Sequence, residues 1–326
     1  MASDGVQMTD RIRLGRTDLE VPRLGVGAMT WGSPSGRSRW GPAKLAYGGT
    51  AGPGEEQLAF EASLSAGVDL FDTAAMYSGG ASEQRLGELA EGRQVVIATK
   101  FPPGWRSTAA AFPAALDQSL VRLRRNTIDL YQHHFPSRRI SIPSLMGLMA
   151  DAVEGGKVRA IGVSNYSAAQ LRLAHAALAE RGVPLASNQV EYSLLHRAPE
   201  VNGVLDACRE LGITLIAYQP LAQGVLTGKY RPGDRPKGIR RFGRYFRSDG
   251  LKKAQPVVAL LGEIGERYSR TPAQVALRWL IEQESVLPIP GAKNGRQAAS
   301  NAEALSFLLV GAEIEALDEA TTAWRR

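Results

Sequence analysis

The stretch IDLYQHHFPSRRISIPSLMGLMADAVEGGKVRAIGVSN, residues 128–165, contains one complete unit of an alternating fold. Its two apolar runs, 128–133 and 158–163, are short and rich in β-forming residues, which is typical of strands buried on both faces. Between them, IPSLMGLMADAVEGG has apolar residues three and four apart and ends in glycines, as amphipathic helices commonly do. The stretch therefore predicts a strand, a helix and a parallel strand.

The same alternation continues on both sides of this unit. Helical patterns separate strand-like runs along the chain. Eight such runs lie at residues 24–28, 68–71, 95–99, 128–133, 158–163, 186–190, 214–218 and 286–289. Because no Pro-, Gly- or Ser-rich linker divides the chain midway, the pattern favours one α/β domain over residues 1–326, a parallel (β/α)8 TIM barrel.

Flanking segments and one alternative complete the predicted fold. Short alternating stretches around residues 15–18 predict an N-terminal β-hairpin, and an extra helix is expected at the C-terminus. Residues 1–10 are expected to form a flexible N-terminus. An open doubly wound sheet is the alternative, but its dinucleotide-binding motif would need glycine where Thr30 stands in GVGAMT.

Composition places the chain among globular proteins. Its 326 residues are 44% hydrophobic, which is enough to bury a large core. The single cysteine, Cys208, excludes an internal disulfide and a cysteine-rich metal site, and no other metal site is predicted. No targeting pattern is seen at the N-terminus, and no window approaches the ~18 apolar residues of a membrane span. We therefore expect a cytoplasmic protein with no membrane partner.

The net charge of +7 arises in one segment. Residues 229–253 contain ten Lys and Arg against two Asp, whereas the rest of the chain is close to neutral. Such a run is compatible with a solvated flexible loop. Nucleic-acid binding would need a second basic face or a known fold motif, and the sequence has neither, so no nucleic-acid partner is predicted. A third interpretation is a loop folded over a phosphorylated cofactor.

Polar residues follow the predicted strands at the edge where barrel enzymes place their active sites. Asp72, Lys100 and His134 follow the second, third and fourth strands, and Tyr77 lies on the loop after Asp72. Side chains suited to hydrogen bonding occupy the ends of the next three strands; these are Ser164, Asn165, Gln189 and Tyr218. Each residue alone has a structural explanation, but together they would meet at one mouth of the barrel.

An acid, a lysine, a tyrosine and a histidine can together move a proton. The pKa of an unperturbed tyrosine is about 10, and an adjacent ammonium would lower it by favouring the phenolate. Lys100 would act in this way on Tyr77, and Asp72 would keep the buried Lys100 charged and oriented. His134 would hydrogen-bond a substrate carbonyl or the tyrosine. This set predicts a proton donor beside a carbonyl oxygen that becomes an alkoxide.

A carbonyl that gains a proton in this way also needs a hydride, which no side chain supplies. A nicotinamide cofactor supplies one. Ser164, Asn165 and Gln189 are suited to hydrogen-bond its carboxamide, and Tyr218 offers a ring that can stack on nicotinamide. The residues therefore predict nicotinamide-dependent carbonyl reduction.

Seven ordered motifs resemble the aldo-keto reductase family across nearly the whole chain. They are GVDLFDTAAMYSGG followed by SE, IATK, IDLYQHH, GKVRAIGVSN, NQVEYS, AYQPLAQGVLTGKY, and PIPGAKN followed by QAASN. PLAQGVLTGKY and PIPGAKN are most similar to the bacterial and plant oxidoreductase branch that includes the potassium-channel β subunits.

The resemblance implies a (β/α)8 barrel that binds NADPH in an extended form and uses Asp72, Tyr77, Lys100 and His134 in catalysis. The family spacing selects His134 rather than His133, which strand alternation sends to the opposite face. The cofactor contacts that the resemblance implies are Gly27, Ala28, Met29, Asp72, Ser164, Asn165, Gln189, Tyr218, Gln219, Pro220, Leu221, Ala222, Gln223, Gly224, Lys229, Gly291, Lys293, Gln297 and Asn301.

Two departures from the family pattern bear on the choice between NADP and NAD. Many relatives have Ser at the position of Gln219 and Arg at the position of Gln297. Lys293 and the basic segment offset this, because a 2′-phosphate forms charge-assisted hydrogen bonds with cations. NADPH/NADP+ is therefore the predicted cofactor. Residues 229–253 are expected to fold over it, and a disordered surface loop is the alternative for the middle of that segment.

Substrate recognition is the least determined feature. Aromatic residues near strand ends would form either an apolar pocket or packing at the barrel top; they are Trp31, Phe101, Trp105, Phe135 and Tyr192. The leading hypothesis is NADPH-dependent reduction of an aldehyde or ketone, with Tyr77 as general acid. The second is a cofactor-binding redox-sensing protein with slow turnover, like the channel β subunits, and the third is a non-redox barrel that binds a sugar phosphate. A small-molecule carbonyl compound is the expected partner, and a homo-oligomer stays open.

Overall fold

The computed structural model describes residues 11–33, 51–104, 107–236, 238–247 and 249–325. The N-terminus expected to be flexible and the pocket candidate Trp105 lie outside these residues. The described part opens with two antiparallel strands, β1 (Arg11–Arg13) and β2 (Glu20–Pro22), in which Ile12 is opposite Val21. The predicted N-terminal β-hairpin is confirmed.

Parallel strands follow the hairpin, and each pairs with the next one in the chain. Within the described ranges there are eight: β3 (Val26–Gly27), β4 (Leu70–Asp72), β5 (Val96–Phe101), β6 (Ile128–His133), β7 (Val158–Ser164), β8 (Leu185–Glu191), β9 (Thr214–Tyr218) and β10 (Val286–Pro288).

The first and last of these strands meet. The Gly25 amide donates to Pro288 O at 3.0 Å, the Gly27 amide donates to Pro290 O at 3.0 Å, and Gly27 forms a parallel bridge with Gly291. Because strand order follows chain order and the ends close, the fold is the predicted (β/α)8 TIM barrel. The doubly wound alternative is excluded, since its strand order reverses at a switch point.

Helices lie between the strands and after the last of them. They are α1 (Pro53–Ser65), α2 (Ala81–Leu89), α3 (Phe112–Leu123), α4 (Ile142–Glu154), α5 (Ala168–Ala179), α6 (Ala198–Val201), α7 (Val204–Leu211), α8 (Gly250–Tyr268), α9 (Pro272–Glu282), α10 (Gly295–Ala302) and α11 (Gly311–Ala320). In the described ranges, none is long and apolar enough to cross a membrane.

Strand alternation sorts the apolar side chains into two cores. Residues such as Leu70, Leu130 and Ile216 point into the barrel, where Leu14 and Val21 of the hairpin region cover the lower end. Their outward neighbours pack under the helices in a larger core. The barrel is therefore filled below, and inward-facing residues near the upper strand ends are the ones that can reach a cavity.

Candidate active site

A buried ion pair joins the ends of β4 and β5. Asp72 and Lys100 follow the inward-facing Leu70 and Ala98 by two residues each, so both side chains enter the barrel. Lys100 Nζ donates to Asp72 Oδ2 at 2.5 Å and to Thr73 O at 2.7 Å, and the lysine side chain is fully buried. Burial lowers the pKa of Lys100, and the negative charge of Asp72 opposes that shift. The pair keeps an ammonium inside the protein.

Two glutamines hold the other oxygen of this carboxylate. Gln189 Nε2 donates to Asp72 Oδ1 at 2.7 Å, and Gln132 Nε2 donates to the same atom at 3.1 Å. Gln132 was not among the sequence candidates. Its place two residues after the inward-facing Leu130 could have identified it, because alternation turns it toward the same interior.

Tyr77 and His134 meet above the ion pair. Lys100 Nζ lies 5.2 Å from the centroid of the Tyr77 ring, and the Tyr77 and His134 rings meet edge to face with centroids 5.8 Å apart. Tyr77 begins a 3₁₀ turn, Tyr77–Gly80, whose residues Ser78 and Gly79 have φ values of 51° and 69°. A left-handed backbone is costly for serine, so this turn directs Tyr77 at some conformational cost.

His134 is uncharged at neutral pH. Burial, followed by the positive charge of Lys100, lowers its pKa to about 2. Its Nδ1 atom is buried and has no hydrogen-bond partner in the described part of the chain. A neutral imidazole beside a tyrosine and a charged lysine can donate a hydrogen bond without competing as a cation.

The turn after β7 connects several walls of the site. Asn165 has a φ of 62°, and its backbone amide donates to Gln189 O at 2.9 Å. Its Nδ2 donates to His134 O at 3.1 Å, and its Oδ1 accepts from the Tyr218 hydroxyl at 3.0 Å. Ser164 Oγ donates to Gln189 O at 2.8 Å. The expected nicotinamide-side residues therefore form one hydrogen-bonded unit.

These residues line a cavity of about 750 Å³. The expected residues in its wall are Gly27, Met29, Asp72, Tyr77, His134, Phe135, Ser164, Asn165, Gln189, Tyr218, Gln219, Pro220, Leu221, Gln223, Gly224, Lys229, Gly291, Lys293, Gln297 and Asn301. Residues in the wall that the sequence reasoning missed include Thr30, Met76, Arg240, Thr271, Arg296 and Ser300.

Two expected cofactor contacts do not line the cavity. Ala28 and Ala222 are both fully buried. The Ala28 amide donates to Asp72 O at 2.8 Å and its carbonyl accepts from Ser82 Oγ at 2.7 Å, so Ala28 holds the end of β3 in place. Ala222 starts a 3₁₀ turn and packs in the outer core. In this structure both alanines lie behind the cavity wall, and their contact with a cofactor stays a prediction.

Three of the aromatic residues expected near the substrate are packed away from the cavity. Trp31, Phe101 and Tyr192 are fully buried and do not line the cavity. Phe101 follows Lys100 and therefore faces outward, where it packs against Phe112. Trp31 donates from Nε1 to Ala292 O at 2.7 Å, and the Tyr192 hydroxyl donates to Glu200 at 2.8 Å. Their burial and contacts favour the alternative interpretation, in which they pack at the barrel top.

Phe135 is the aromatic candidate that does line the cavity. It is 43% exposed, and its ring stacks on His134 with centroids 5.0 Å apart. The nearby wall includes Met29 and Met76. The end of the cavity that contains Tyr77 is therefore bordered by apolar, deformable side chains.

Four cations contribute to the cavity wall, and we call this group the cationic end. They are Lys229, Arg240, Lys293 and Arg296. Burial, then the positive charges of Arg240 and Lys229, lowers the pKa of Lys293. Arg240 and Lys229 are therefore close enough to Lys293 to repel its charge. Gln297 accepts from the Lys293 amide at 2.9 Å, and the neighbouring Arg296 lines the cavity. Such a cluster suits a polyanion.

The basic segment is joined to the barrel at defined points. Arg240 donates to Gln223 O at 3.0 Å, and Arg244 forms an ion pair with Glu191 at the end of β8. Tyr245 is fully buried, and its hydroxyl lies 3.4 Å from a Glu191 oxygen. In contrast, Phe242 is 60% exposed. The segment therefore has an anchored part around Tyr245 and an outer arm that brings Arg240 to the cavity.

Comparison with known proteins identifies the family of the chain. The sequence profile of the Aldo/keto reductase family matches residues 23–322. The chain is 37% identical over 319 residues to the chloroplastic pyridoxal reductase of Arabidopsis thaliana, covering 93% of this chain and 83% of that protein. It is 35% identical over 294 residues to the aldo-keto reductase yakc [NADP(+)] of Schizosaccharomyces pombe, covering 82% of this chain and 84% of that protein.

A solved structure has the same fold. The glycerol dehydrogenase of Gluconobacter oxydans superposes with a TM-score of 0.81 at 24% identity, covering 97% of this chain and 96% of that one. Barrel, site and sequence lead to the same conclusion. The chain belongs to the aldo-keto reductase family of oxidoreductases.

Proposed function

We propose that this protein reduces an aldehyde or ketone to an alcohol with NADPH, and that Tyr77 is the general acid. One observation carries the proposal: Tyr77 and His134, beside the Asp72–Lys100 pair, line the same cavity as four cations. Proton-transfer groups and a polyanion site in one cavity match the two ends of a nicotinamide dinucleotide.

The cavity wall fits such a cofactor. Thr30 Oγ1 and Gln223 Oε1 are buried in it and lack hydrogen-bond partners among the described residues, as expected of groups that await a polar ligand. Asn165 and Ser164 would hold the carboxamide, and the Tyr218 ring would support the nicotinamide. When bound, the cofactor supplies the hydride.

The cationic end supports NADPH rather than NADH. Lys293 and Arg296 would bind the 2′-phosphate with charge-assisted hydrogen bonds, which are stronger than neutral ones. Arg240 would reach the phosphates from the outer arm of the basic segment. The name of the yeast relative specifies NADP(+), which adds support.

The proposed proton transfer rests on the spatial arrangement of four side chains. Tyr77 would donate its hydroxyl proton to the carbonyl oxygen as negative charge develops there. The Lys100 ammonium, 5.2 Å from the Tyr77 ring, favours the phenolate that remains. Asp72 keeps Lys100 charged, and neutral His134 would donate a hydrogen bond to the same carbonyl oxygen. Asp72 therefore acts on Tyr77 through Lys100.

Further parts of the proposal concern the whole chain. Residues 1–326 would act as one domain in the cytoplasm on a small-molecule carbonyl compound, with residues 229–253 closing over the cofactor. Gln189 would contribute mainly by orienting Asp72, since its amide nitrogen is 2.7 Å from that carboxylate.

The test is a substrate screen with both cofactors. Purified protein is mixed with NADPH or NADH and with pyridoxal, aromatic aldehydes or methylglyoxal, and the loss of cofactor absorbance is followed. We expect turnover of at least one aldehyde with preference for NADPH. Tight NADPH binding with negligible turnover throughout would favour the regulatory alternative, and absence of any NADPH binding would contradict the proposal.

A further inference from the structure

The first histidine of the tandem pair, His133, is buried on the outer face of the barrel. It follows Gln132, which points inward, so alternation turns His133 away from the cavity. Its ring packs against Phe101 and meets Tyr166 edge to face, with centroids 5.9 and 5.8 Å away. An apolar side chain could fill this space, so the choice of histidine calls for a polar reason.

Both ring nitrogens of His133 have hydroxyl partners. Nδ1 lies 2.8 Å from the Tyr166 hydroxyl, and Nε2 lies 2.8 Å from Ser107 Oγ. Burial lowers the pKa of His133 to about 4, so the ring is neutral and uses one nitrogen as donor and the other as acceptor. The histidine therefore bridges the loop after β5 and the turn after β7.

Tyr166 is held on its side chain and on its backbone. Its amide lies 3.4 Å from Asn188 Oδ1 as donor, and its carbonyl accepts from Asn188 Nδ2 at 3.1 Å. The next residue, Ser167, caps α5 in a capping box. The His133 bond is thus the contact that fixes the ring end of Tyr166, while Asn188 and the helix cap fix its main chain.

The residue before Tyr166 is the one that connects two walls of the active site. Asn165 has a left-handed backbone, which makes its orientation sensitive to its neighbours. It donates to His134 O at 3.1 Å and accepts from the Tyr218 hydroxyl at 3.0 Å. A shift of Tyr166 would therefore reach both His134 and Tyr218.

We propose that His133 is a positioning residue for carbonyl reduction: through its hydrogen bond to Tyr166 it holds Asn165, and through Asn165 it aligns His134 and Tyr218. This inference rests on the proposed function. The bond to Ser107 ties the β5 loop to the same ring and is not part of the path to Asn165.

The geometry allows the two bonds of His133 to be separated. An asparagine amide nitrogen occupies the place of Nδ1, whereas a glutamine amide nitrogen reaches that of Nε2. His133→Asn therefore keeps the bond to Tyr166 and loses Ser107, and His133→Gln does the reverse. Tyr166→Phe removes the same bond as His133→Gln while keeping the aromatic ring, and Ser107→Ala is the control for the other arm.

The readouts are kcat and KM for one aldehyde, the Kd of NADPH from fluorescence titration, and the melting temperature. For His133→Gln and Tyr166→Phe we expect kcat to fall about tenfold or more, because a small misplacement of aligned groups slows a reaction strongly. We expect His133→Asn and Ser107→Ala to keep both kcat and the Kd of NADPH within about threefold of the wild type. The two His133 variants should melt at similar temperatures.

Equal loss of kcat in His133→Asn and His133→Gln, or a kcat that only follows the melting temperature, would overturn the positioning role. Additive effects of His133→Gln and Tyr166→Phe in the double variant would also overturn it, since one shared bond cannot be lost twice. Absence of turnover in the wild type would overturn the proposed function itself, and the positioning role with it.

Discussion

Lys100 Nζ lies 2.5 Å from Asp72 Oδ2 and 5.2 Å from the centre of the Tyr77 ring, inside a barrel that leaves the lysine fully buried. Asp72, at the end of β4, and Tyr77, in the loop after it, are thus linked through Lys100 of β5. A buried charge is tolerated only when it is well paired, so each member of this arrangement constrains the others.

Removing one charge of the ion pair should lower the free energy of unfolding more than removing both charges. Asp72→Asn leaves a buried ammonium without its counter-charge, and we expect the free energy of unfolding to fall by about 3–5 kcal/mol. Asp72→Asn combined with Lys100→Met should recover part of that loss. Urea unfolding of the wild type and the two variants measures this, and a double variant less stable than the single one would contradict it.

The two buried histidines should make the fold less stable in mild acid. Burial lowers the pKa of His133 to about 4 and of His134 to about 2, whereas both groups are near 6.5 when unfolded. Below pH ~6.5 the unfolded chain takes up protons that the folded chain does not, so stability is full above that pH and falls as pH decreases.

Each such histidine contributes a slope of up to about 1.4 kcal/mol per pH unit. We expect His133→Asn to reduce the slope of unfolding free energy between pH ~6.5 and ~5 by about that amount, in a window above the pKa of most carboxylates. Unfolding in urea at several pH values is the measurement. An unchanged slope would mean that His133 is protonated in the folded protein.

The cationic end should discriminate between the two cofactors. Lys293→Gln and Arg296→Gln each remove one donor to a 2′-phosphate, and we expect the Kd of NADPH to rise about tenfold or more while that of NADH is nearly constant. Lys157→Gln, an exposed lysine directly before β7 and therefore at the opposite end of the barrel, is the charge-matched control. Fluorescence titration checks the result, and an equal loss for both cofactors would place these residues elsewhere than at the 2′-phosphate.

The ion pair between Arg244 and Glu191 should hold the basic segment against β8. Glu191→Gln weakens this ion pair. Because the pair is partly exposed, its strength is about that of a surface pair, and we expect two rates to rise about two- to fivefold. Trypsin should cleave residues 229–247 faster, and NADPH should dissociate faster in stopped flow. Glu210→Gln, which loses an exposed pair with Arg172, is the control and should change neither rate.

Strand alternation explains which parts of the site could be predicted. Asp72 and Lys100 follow buried strands with an even offset from inward-facing leucine and alanine, so their convergence was foreseeable. The same rule applied to Phe101, one residue after Lys100, would have turned it outward. The position of Phe101 near a strand end suggested that it lines a pocket. The direction of its side chain determines whether it does.

Loop geometry explains the rest. Arg240 reaches the cavity through turns whose shape depends on left-handed residues such as Gln223 and on packing of Tyr245 against β8. No periodic pattern encodes such a path. Gln132 was overlooked for another reason: its role is to orient Asp72, and a neutral amide is easily passed over beside titratable groups.

The central claim is that Tyr77 gives the proton to the substrate carbonyl. The most direct measurement is single-turnover reduction of an aldehyde by Tyr77→Phe loaded with NADPH, beside the wild type. We predict that NADPH binds within about threefold of the wild-type affinity while the reduction rate falls by about 10²-fold or more, since general acid catalysis is lost. Unchanged reduction by Tyr77→Phe would contradict the account.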